Sequence, residues 1–372
     1  MLNLVNAINM NELFLEKYVN SYSPSGAEMP AQQLWIDEVK KYANEIVVEN
    51  YGNVIAKKNG FNGSVLLESH VDEVSYRVNL ITEDGLIYVI KNGNADHQIA
   101  PSSRVKIHTG KGMVDGIFGW PAIHTRDASK ETQPTIENIF IDCGVGSRKE
   151  LAKMGVKTGC LVTYPSNFQI VGNYYTGKGL DNKIGGYILL EVLKKIKEDE
   201  SKINSTDTSD EIIEKTRMSM LFANVVQEEV GLRGASMICQ NYKPDLSIVI
   251  DVTHDTSTPM MNKKKSGNIV CGKGPILTFA TTTHPKFVEL LEKVAINNKI
   301  KYQRKALGKS TGTDADNYAS HGIITALVSI PLRYMHTKVE MVHTRDVEDT
   351  INLLYNTLKE LHKGYDFSFL KK

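Results

Sequence analysis

The feature that most constrains this chain is a change of texture along it. Over both flanks, short apolar runs of strand length alternate with stretches of helical spacing, whereas between about residues 74 and 163 only short β-like runs remain. At the amino end, helical patterns cover residues 13–22 and 31–46, the second carried by Leu34, Val39, Tyr42 and Ile46, with a Ser-Pro-Ser-Gly stop at 23–26 between them. Strand-like runs follow at 46–49, 54–57 and 64–69. Beyond Gly177, predicted helices at 185–197, 233–240, 285–297 and 345–363 interleave with predicted strands at 218–226, 246–252 and 322–330. This alternation predicts an α/β fold with a mixed, largely parallel sheet flanked by helices. The middle has runs at 76–80, 86–91, 104–108, 112–118, 138–143 and 161–164, punctuated by Gly and Pro, and reads as a small β-rich unit inserted into that fold. Residues 198–211, EDESKINSTDTSDE, are nearly free of apolar side chains and read as an exposed loop.

Length and charge narrow the class. A prior of roughly 150 residues per domain gives 372 residues two or three domains. Forty-four Lys and Arg against 43 Asp and Glu leave a formal charge of +1, so no whole-chain attraction to nucleic acid or an anionic membrane is expected. The longest apolar runs, 246–250 and 323–330, fall short of the roughly 20 residues that span a bilayer. Residues 1–14 lack the basic and apolar regions of a secretory signal, so a cytoplasmic protein is expected. Cys143, Cys160, Cys239 and Cys271 are scattered without a CxxC pair. Reduced thiols are expected, and any metal must be held by oxygen and imidazole.

The chemistry-bearing residues gather at strand ends. His70-Val71-Asp72 closes the apolar run 65–67, which puts His70 and Asp72 on one side of a strand terminus, the edge where ligands collect in open α/β sheets. A polar strand end would look the same. In Gly177-Lys178-Gly179-Leu180-Asp181 the glycines suit a tight turn that presents Asp181 at the mouth of a helix, as a cap or as a metal ligand. Glu228-Glu229 follows the apolar run 218–226 directly, and adjacent like charges there are costly unless solvated, neutralised by a cation, or sharing a proton. Asp251 stands just past the run 246–250, and His336 follows the run 323–330 after a short gap. Each has an ordinary reading alone, but five such groups from separate strand ends of one sheet edge point to a metal site. Two His and three carboxylates suit two hard or borderline divalent ions such as zinc, cobalt or manganese. Two ions about 3.5–4 Å apart need a bridging ligand and can share an activated water. Glu228 is the carboxylate left over to move that water's proton.

With these residues in view, the chain resembles the M42 family of dinuclear metal aminopeptidases, the glutamyl-aminopeptidase and TET-like group, some members of which carry an endoglucanase label. The likeness runs nearly end to end: Pro24-Ser25-Gly26-Ala27-Glu28, His70 to Glu73, residues 140–159, Thr176-Gly177-Lys178 to Gly185, Glu228 to Ala235, Asp251-Val252-Thr253-His254, Thr311 to Ala315 and Pro331 to Val342. The resemblance implies Asp181 as the bridging ligand, His70 and Asp251 completing one metal and Glu229 and His336 the other. Glu228 would be the catalytic acid and base, with Asp72 orienting His70 from behind. Thr313, Asp314 and Tyr334 would lie near the first substrate side chain. The resemblance also implies a catalytic domain of residues 1–72 and 165–372, an inserted dimerisation domain of residues 73–164, and assembly into dimers or dodecamers. Two divalent ions per subunit, zinc foremost with cobalt or manganese as alternatives, would serve peptides with a free N-terminus. Ser75, His97, Asn182, Lys183 and Ser257 depart from the family pattern without removing a ligand or the base.

Two other readings are open on sequence grounds. A deacylase or carboxypeptidase on a related fold would need a cation for the substrate's carboxylate, for which Arg333 is the candidate. A metal-stabilised scaffold would need no free base, against which Glu228 stands. Glycoside hydrolysis by Glu228 and Glu229 fits poorly, because neighbours on one strand end do not straddle a glycosidic bond.

Overall fold

The computed structural model describes residues 10–127, 132–202 and 218–370. Three strands come first: β1 (Glu45–Val48), β2 (Val54–Lys58) and β3 (Ser64–His70). Six more, β4 (Ser75–Ile81), β5 (Ile87–Asn92), β6 (Arg104–Thr109), β7 (Gly112–Gly119), β8 (Phe140–Asp142) and β9 (Leu161–Thr163), close into a separate barrel. The chain then returns through β10 (Gln169–Val171), β11 (Tyr174–Gly177), β12 (Ser219–Val225), β13 (Leu246–His254), β14 (Ile276–Phe279), β15 (Gln303–Ala306), β16 (Ile324–Arg333) and β17 (Glu340–His343). With β1, β2 and β3, these form an 11-stranded sheet of order β1-β2-β12-β3-β13-β16-β17-β11-β10, from which β14 and β15 branch at β16.

Along its main path the sheet is parallel only at its centre, and the branching pair β14 and β15 is parallel as well. β12, β3, β13 and β16 run side by side in parallel, while β1, β2, β17, β11 and β10 continue it on both sides through antiparallel pairs. The expectation of a largely parallel sheet therefore holds for the four central strands and is corrected at the flanks. The central strands are near-continuous apolar runs because both of their faces are covered. Along β3, Val65 and Leu67 enter the core on one face while Leu66 enters the other, following the two-residue period of a strand.

The first face packs against helices Met10–Asn20, Met29–Val39, Leu180–Lys202, Pro285–Asn297 and Thr344–Leu361, the second against Arg233–Asn241 and Ala315–Ser320. Thr344–Leu361 shows why: Val347, Ile351, Leu354, Leu358 and Leu361 recur at three and four residues and are all buried, so one stripe of the helix seals the sheet. The barrel has its own core, built on Tyr76, Val78, Val89, Ile107, Phe118, Ile141 and Val162.

Two local expectations are corrected. The second helix ends at Val39 rather than 46, because Glu45–Val48 is claimed by pairing with β2. Residues 198–202 of the expected polar loop belong to the long helix Leu180–Lys202, where Glu200 pairs at 2.6 Å with Lys58, itself only 3% exposed, and Asp199 meets the Tyr355 hydroxyl. Residues 203–211 of that loop lie outside the described ones. No helix among the described residues is long and apolar enough to cross a membrane.

Candidate metal centre

Strand register assembles the site. Pairing of β12 with β3 sets Val225 opposite His70, and pairing of β13 with β3 sets Val249 opposite Glu68, so Asp251, two residues further on, comes level with His70. Glu228 and Glu229 follow the end of β12, and His336 follows β16 three residues past Arg333. Asp181 arrives from the other side, at the mouth of the helix Leu180–Lys202. There Asp181 (φ −78°, ψ 103°) and Asn182 (φ −123°, ψ 38°) are not yet helical. The Asn182 amide fastens this turn to the sheet, donating to the Ile250 carbonyl at 2.8 Å and accepting from the Gly185 N–H at 3.1 Å. A Cβ on Gly185 would lie 2.6 Å from Asn182 Oδ1 and 2.7 Å from Ser69 Cβ, so glycine is what lets the turn approach β3.

The side chains converge in two groups that share Asp181. His70 Nε2 lies 3.2 Å from Asp181 Oδ1 and 3.7 Å from Asp251 Oδ1, while His336 Nε2 lies 3.3 Å from Asp181 Oδ2 and 3.2 Å from Glu229 Oε1. Each oxygen of Asp181 thus faces a different imidazole. A tetrahedral ion with bonds of about 2.0–2.1 Å separates its ligand atoms by about 3.3–3.4 Å, so these spacings suit donors around a cation as well as they suit hydrogen bonds. Glu228 Oε2 stands 3.9 Å from His70 Nε2, and Glu228 shares an ion-sized cluster with His70 and Asp251.

The clustered acids and imidazoles perturb one another strongly. Burial pushes the Glu228 carboxyl up to about 11, with His70 opposing and Asp251 and Asp314 adding, and burial with neighbouring Asp181 pushes Glu229 to about 7. Burial alone would lower His336, but hydrogen bonds to Asp181 and Glu229 outweigh it and hold the ring up at about 11. Asp181 runs the opposite way: burial would raise it, yet bonds to His336 and His70 hold it below the usual carboxylate range. The His70 Nδ1 lies 3.2 Å from the Asp72 carbonyl oxygen. Since that oxygen can only accept, Nδ1 carries a hydrogen and Nε2 is the atom offered to the acids, with a proton or a metal ion as its alternative occupants.

Two buried carboxylates hold the ligand-bearing loops by their backbones. Asp72 is fully buried. Its oxygens accept from the Glu228 N–H at 2.9 Å, the Glu229 N–H at 3.2 Å and the Ser25 hydroxyl at 2.6 Å. Its carboxylate is also 3.5 Å from His70 Nδ1, so Asp72 meets His70 through both its carbonyl and its side chain while its main grip is on the Glu228-Glu229 pair. Glu340 is the counterpart: its oxygens accept from the Asp181 N–H at 3.1 Å and the His336 N–H at 2.8 Å. Sequence reasoning assigned Glu340 no role, although it stands inside the last family-like motif.

A cavity of about 390 Å³ opens over the cluster, within the range of ligand pockets, lined by His70, Asp181, Glu228, Glu229, Asp251 and His336 and, further out, by Thr253, His254, Lys305, Thr311, Gly312 and Thr313. Of the expected substrate-side residues, Thr313 is on this wall. Asp314 is not: it is 1% exposed, and burial beside the Glu68 carboxyl holds its own carboxyl well above the usual range. Tyr334 is 49% exposed and outside the wall. Arg333 is also off the wall, engaged with Asp255 at 2.8 Å and Ser257 at 3.2 Å, so it is no free cation for a substrate carboxylate.

Comparison with known proteins identifies the family. The family model described as M42 glutamyl aminopeptidase matches residues 52–353. The lysyl aminopeptidase of Pyrococcus furiosus is 31% identical over 362 residues, covering 95% of this chain and 98% of the relative. Among solved structures, a TET aminopeptidase from a marine-sediment Thaumarchaeota archaeon superposes with a TM-score of 0.86 at 25% identity, covering 96% of this chain and 99% of that one. The TET1 peptidase of Pyrococcus horikoshii, which can assemble into a tetrahedron or a large octahedral shell, superposes with a TM-score of 0.80 at 25% identity, covering 93% and 98%. The chain belongs to the M42 peptidase family and is a peptide hydrolase of its aminopeptidase kind.

Proposed function

We propose that this protein is a metal-dependent aminopeptidase that releases the first residue of peptides with a free N-terminus. The observation that carries the reading is the Asp181 carboxylate, whose two oxygens each face a different histidine-carboxylate group at 3.2 and 3.3 Å. His70, Asp251 and Asp181 would hold one divalent ion, and Glu229, His336 and Asp181 a second, with zinc the expected metal and cobalt or manganese the alternatives. When bound, the ions supply Lewis acidity toward the scissile carbonyl and the attacking water. With the positive charge of bound ions offsetting the burial and acidic neighbours that hold its carboxyl up, Glu228 takes the water's proton at its carboxylate and returns it to the leaving amine nitrogen. Asp72 and Glu340 act earlier, by fixing the backbone from which Glu228, Glu229, Asp181 and His336 project. The carboxylates of the cluster also favour a substrate ammonium over a blocked N-terminus.

The β-rich unit of residues 73–164 serves as the dimerisation domain in this reading, inserted between residues 1–72 and 165–372. Exposed Leu80, Ile90, Met113 and Ile117 on the barrel strands, together with the TET assemblies, support it. Metal analysis of the purified protein combined with a panel of free and N-blocked aminoacyl substrates tests the reaction. About two ions per chain and cleavage of free-amine substrates only are expected. Cleavage confined to N-blocked peptides would favour a deacylase or carboxypeptidase. Full turnover by a metal-free preparation would refute the proposed centre.

A further inference from the structure

The two halves of the cluster are not supported alike. His70 and Asp251 stand at the ends of central strands, with side chains 3% and 8% exposed, and strand register fixes them. His336 sits in the turn between β16 and β17, where its side chain is 22% exposed. The backbone of that turn is unfavourable as well: Tyr334 (φ 59°) and His336 (φ 62°) both lie in the left-handed region, which residues other than glycine keep only where their surroundings hold them. Three ties do the holding. The Glu340 carboxylate accepts from the His336 N–H at 2.8 Å. Asn167 donates its side-chain amide to the Lys338 carbonyl and accepts from the Lys178 N–H at 3.0 Å, which joins the His336 turn to the segment that leads into Asp181. The third tie crosses to the barrel, where Lys338 Nζ donates to Ser103 Oγ at 2.7 Å. Ser103 is a fixed anchor: it is buried, its hydroxyl donates to the Ile99 carbonyl at 3.2 Å, its N–H donates to the Ala100 carbonyl at 3.0 Å, and its carbonyl accepts from the Phe118 N–H at 2.9 Å. The barrel also abuts Glu229, since a Cβ on Gly93 would lie 3.2 Å from the Glu229 carbonyl oxygen and 3.4 Å from its Cβ. A cavity of about 20 Å³ between the two units has Ala95, Thr163 and Tyr164 on the barrel side and Asp181, Glu229 and His336 on the other, and neither His70 nor Asp251 lines it.

We propose that the inserted barrel positions His336 through the Ser103–Lys338 hydrogen bond, and so sets how tightly the ion between Glu229 and His336 is held while leaving the ion between His70 and Asp251 alone. Lys338 and Ser103 are positioning residues, acting through the turn that carries His336. The inference rests on the two-ion reading above and deepens it. Calorimetric titration of the metal-free, full-length protein with zinc tests it without recourse to turnover. Two uptake steps are expected in the parent, and His336→Ala marks the step that belongs to the second ion by removing it. Lys338→Met and Ser103→Ala should each weaken the marked step by about tenfold, the low end of what losing a group behind a ligand costs, and leave the other step at the parent's affinity. The double variant should bind no more weakly than either single one, because both substitutions remove the same bond. Lys338→Arg, which can still donate to Ser103, should keep most of the affinity and so separates a lost bond from a misfolded turn. Equal weakening of both steps marks a general loss of structure and overturns the proposal, as does an additive loss in the double variant. A parent that takes up only one ion sinks the two-ion reading and this proposal with it, and shows itself before any variant is made. Two normal steps in the parent, unmoved by Lys338→Met and Ser103→Ala, sink the role of the barrel alone.

Discussion

Replacing Asp72 with Asn tests whether the catalytic pair is held by its backbone. The two side chains have the same shape, but Asn exchanges one acceptor oxygen for an NH2 donor. In the parent, one oxygen takes the Glu228 N–H at 2.9 Å and the other takes the Glu229 N–H at 3.2 Å and the Ser25 hydroxyl at 2.6 Å. Ser25 can rotate its hydrogen and accept from the new amide, and whichever way the amide turns one backbone N–H is left facing a donor. An unsatisfied buried N–H costs about 1–3 kcal/mol, a substantial part of the roughly 5–15 kcal/mol by which domains are stable. Asp72→Ala would strand both N–H groups and is expected to cost roughly twice as much, so Asn is the more informative variant. The loss should appear twice. Denaturant unfolding of the metal-free protein should show a lower midpoint at an unchanged slope, and metal affinity should fall by about ten- to a hundredfold, as when a group behind a ligand is removed. An Asp72→Asn protein that unfolds at the parent's midpoint and binds metal as tightly would refute the clamp.

Other consequences follow from the same geometry. Glu228→Gln should retain metal in elemental analysis while hydrolysis falls by about 10²–10⁴-fold; turnover at the parent's rate would remove Glu228 from proton transfer. Gly185→Ala should destabilise by about 1–3 kcal/mol, because the new methyl meets Asn182 Oδ1 and Ser69 Cβ at 2.6 and 2.7 Å; an unchanged thermal midpoint contradicts the close approach. Asp255 should add an acid-sensitive component to stability. Burial would raise its carboxyl, but hydrogen bonds from Ser257 and the Arg333 guanidinium hold it at about 2. That is below the roughly 3.9 of an unfolded Asp, so the contribution is present above pH 4 and lost as pH falls from about 4 to 2. Asp255→Asn should flatten the stability profile in that window relative to the parent, and an identical slope in both proteins counts against the pairing.

What could be read from the sequence followed from how each element is stabilised. β3, β12, β13 and β16 are buried on both faces, so burial writes itself as apolar runs within 64–70, 219–225, 246–254 and 324–333. β15, QRKA, has no such pattern, because its pairing with β14 decides its conformation. The strand Glu45–Val48 likewise overrides a helical spacing that continued past Val39. At the site, side chains that offer themselves to a cation stood out as acids and imidazoles at strand ends. Glu340 did not, because its partners are the backbone N–H groups of Asp181 and His336, and a bond to backbone leaves no residue-type signature in the partner.

The dispersion of the cluster along the chain bears on how the protein is made. His70, Asp181, Glu229, Asp251 and His336 meet only after β3, β12, β13 and β16 have paired in parallel, across an inserted barrel and long crossovers. Non-local parallel pairing is the slow part of acquiring a fold, and no fragment that ends before residue 336 contains the complete donor set. High-affinity metal uptake therefore belongs to the last stage of maturation. In a refolding time course it marks the moment the sheet closes, later than the recovery of helical signal and later than the local hairpins β4-β5 and β6-β7 of the barrel.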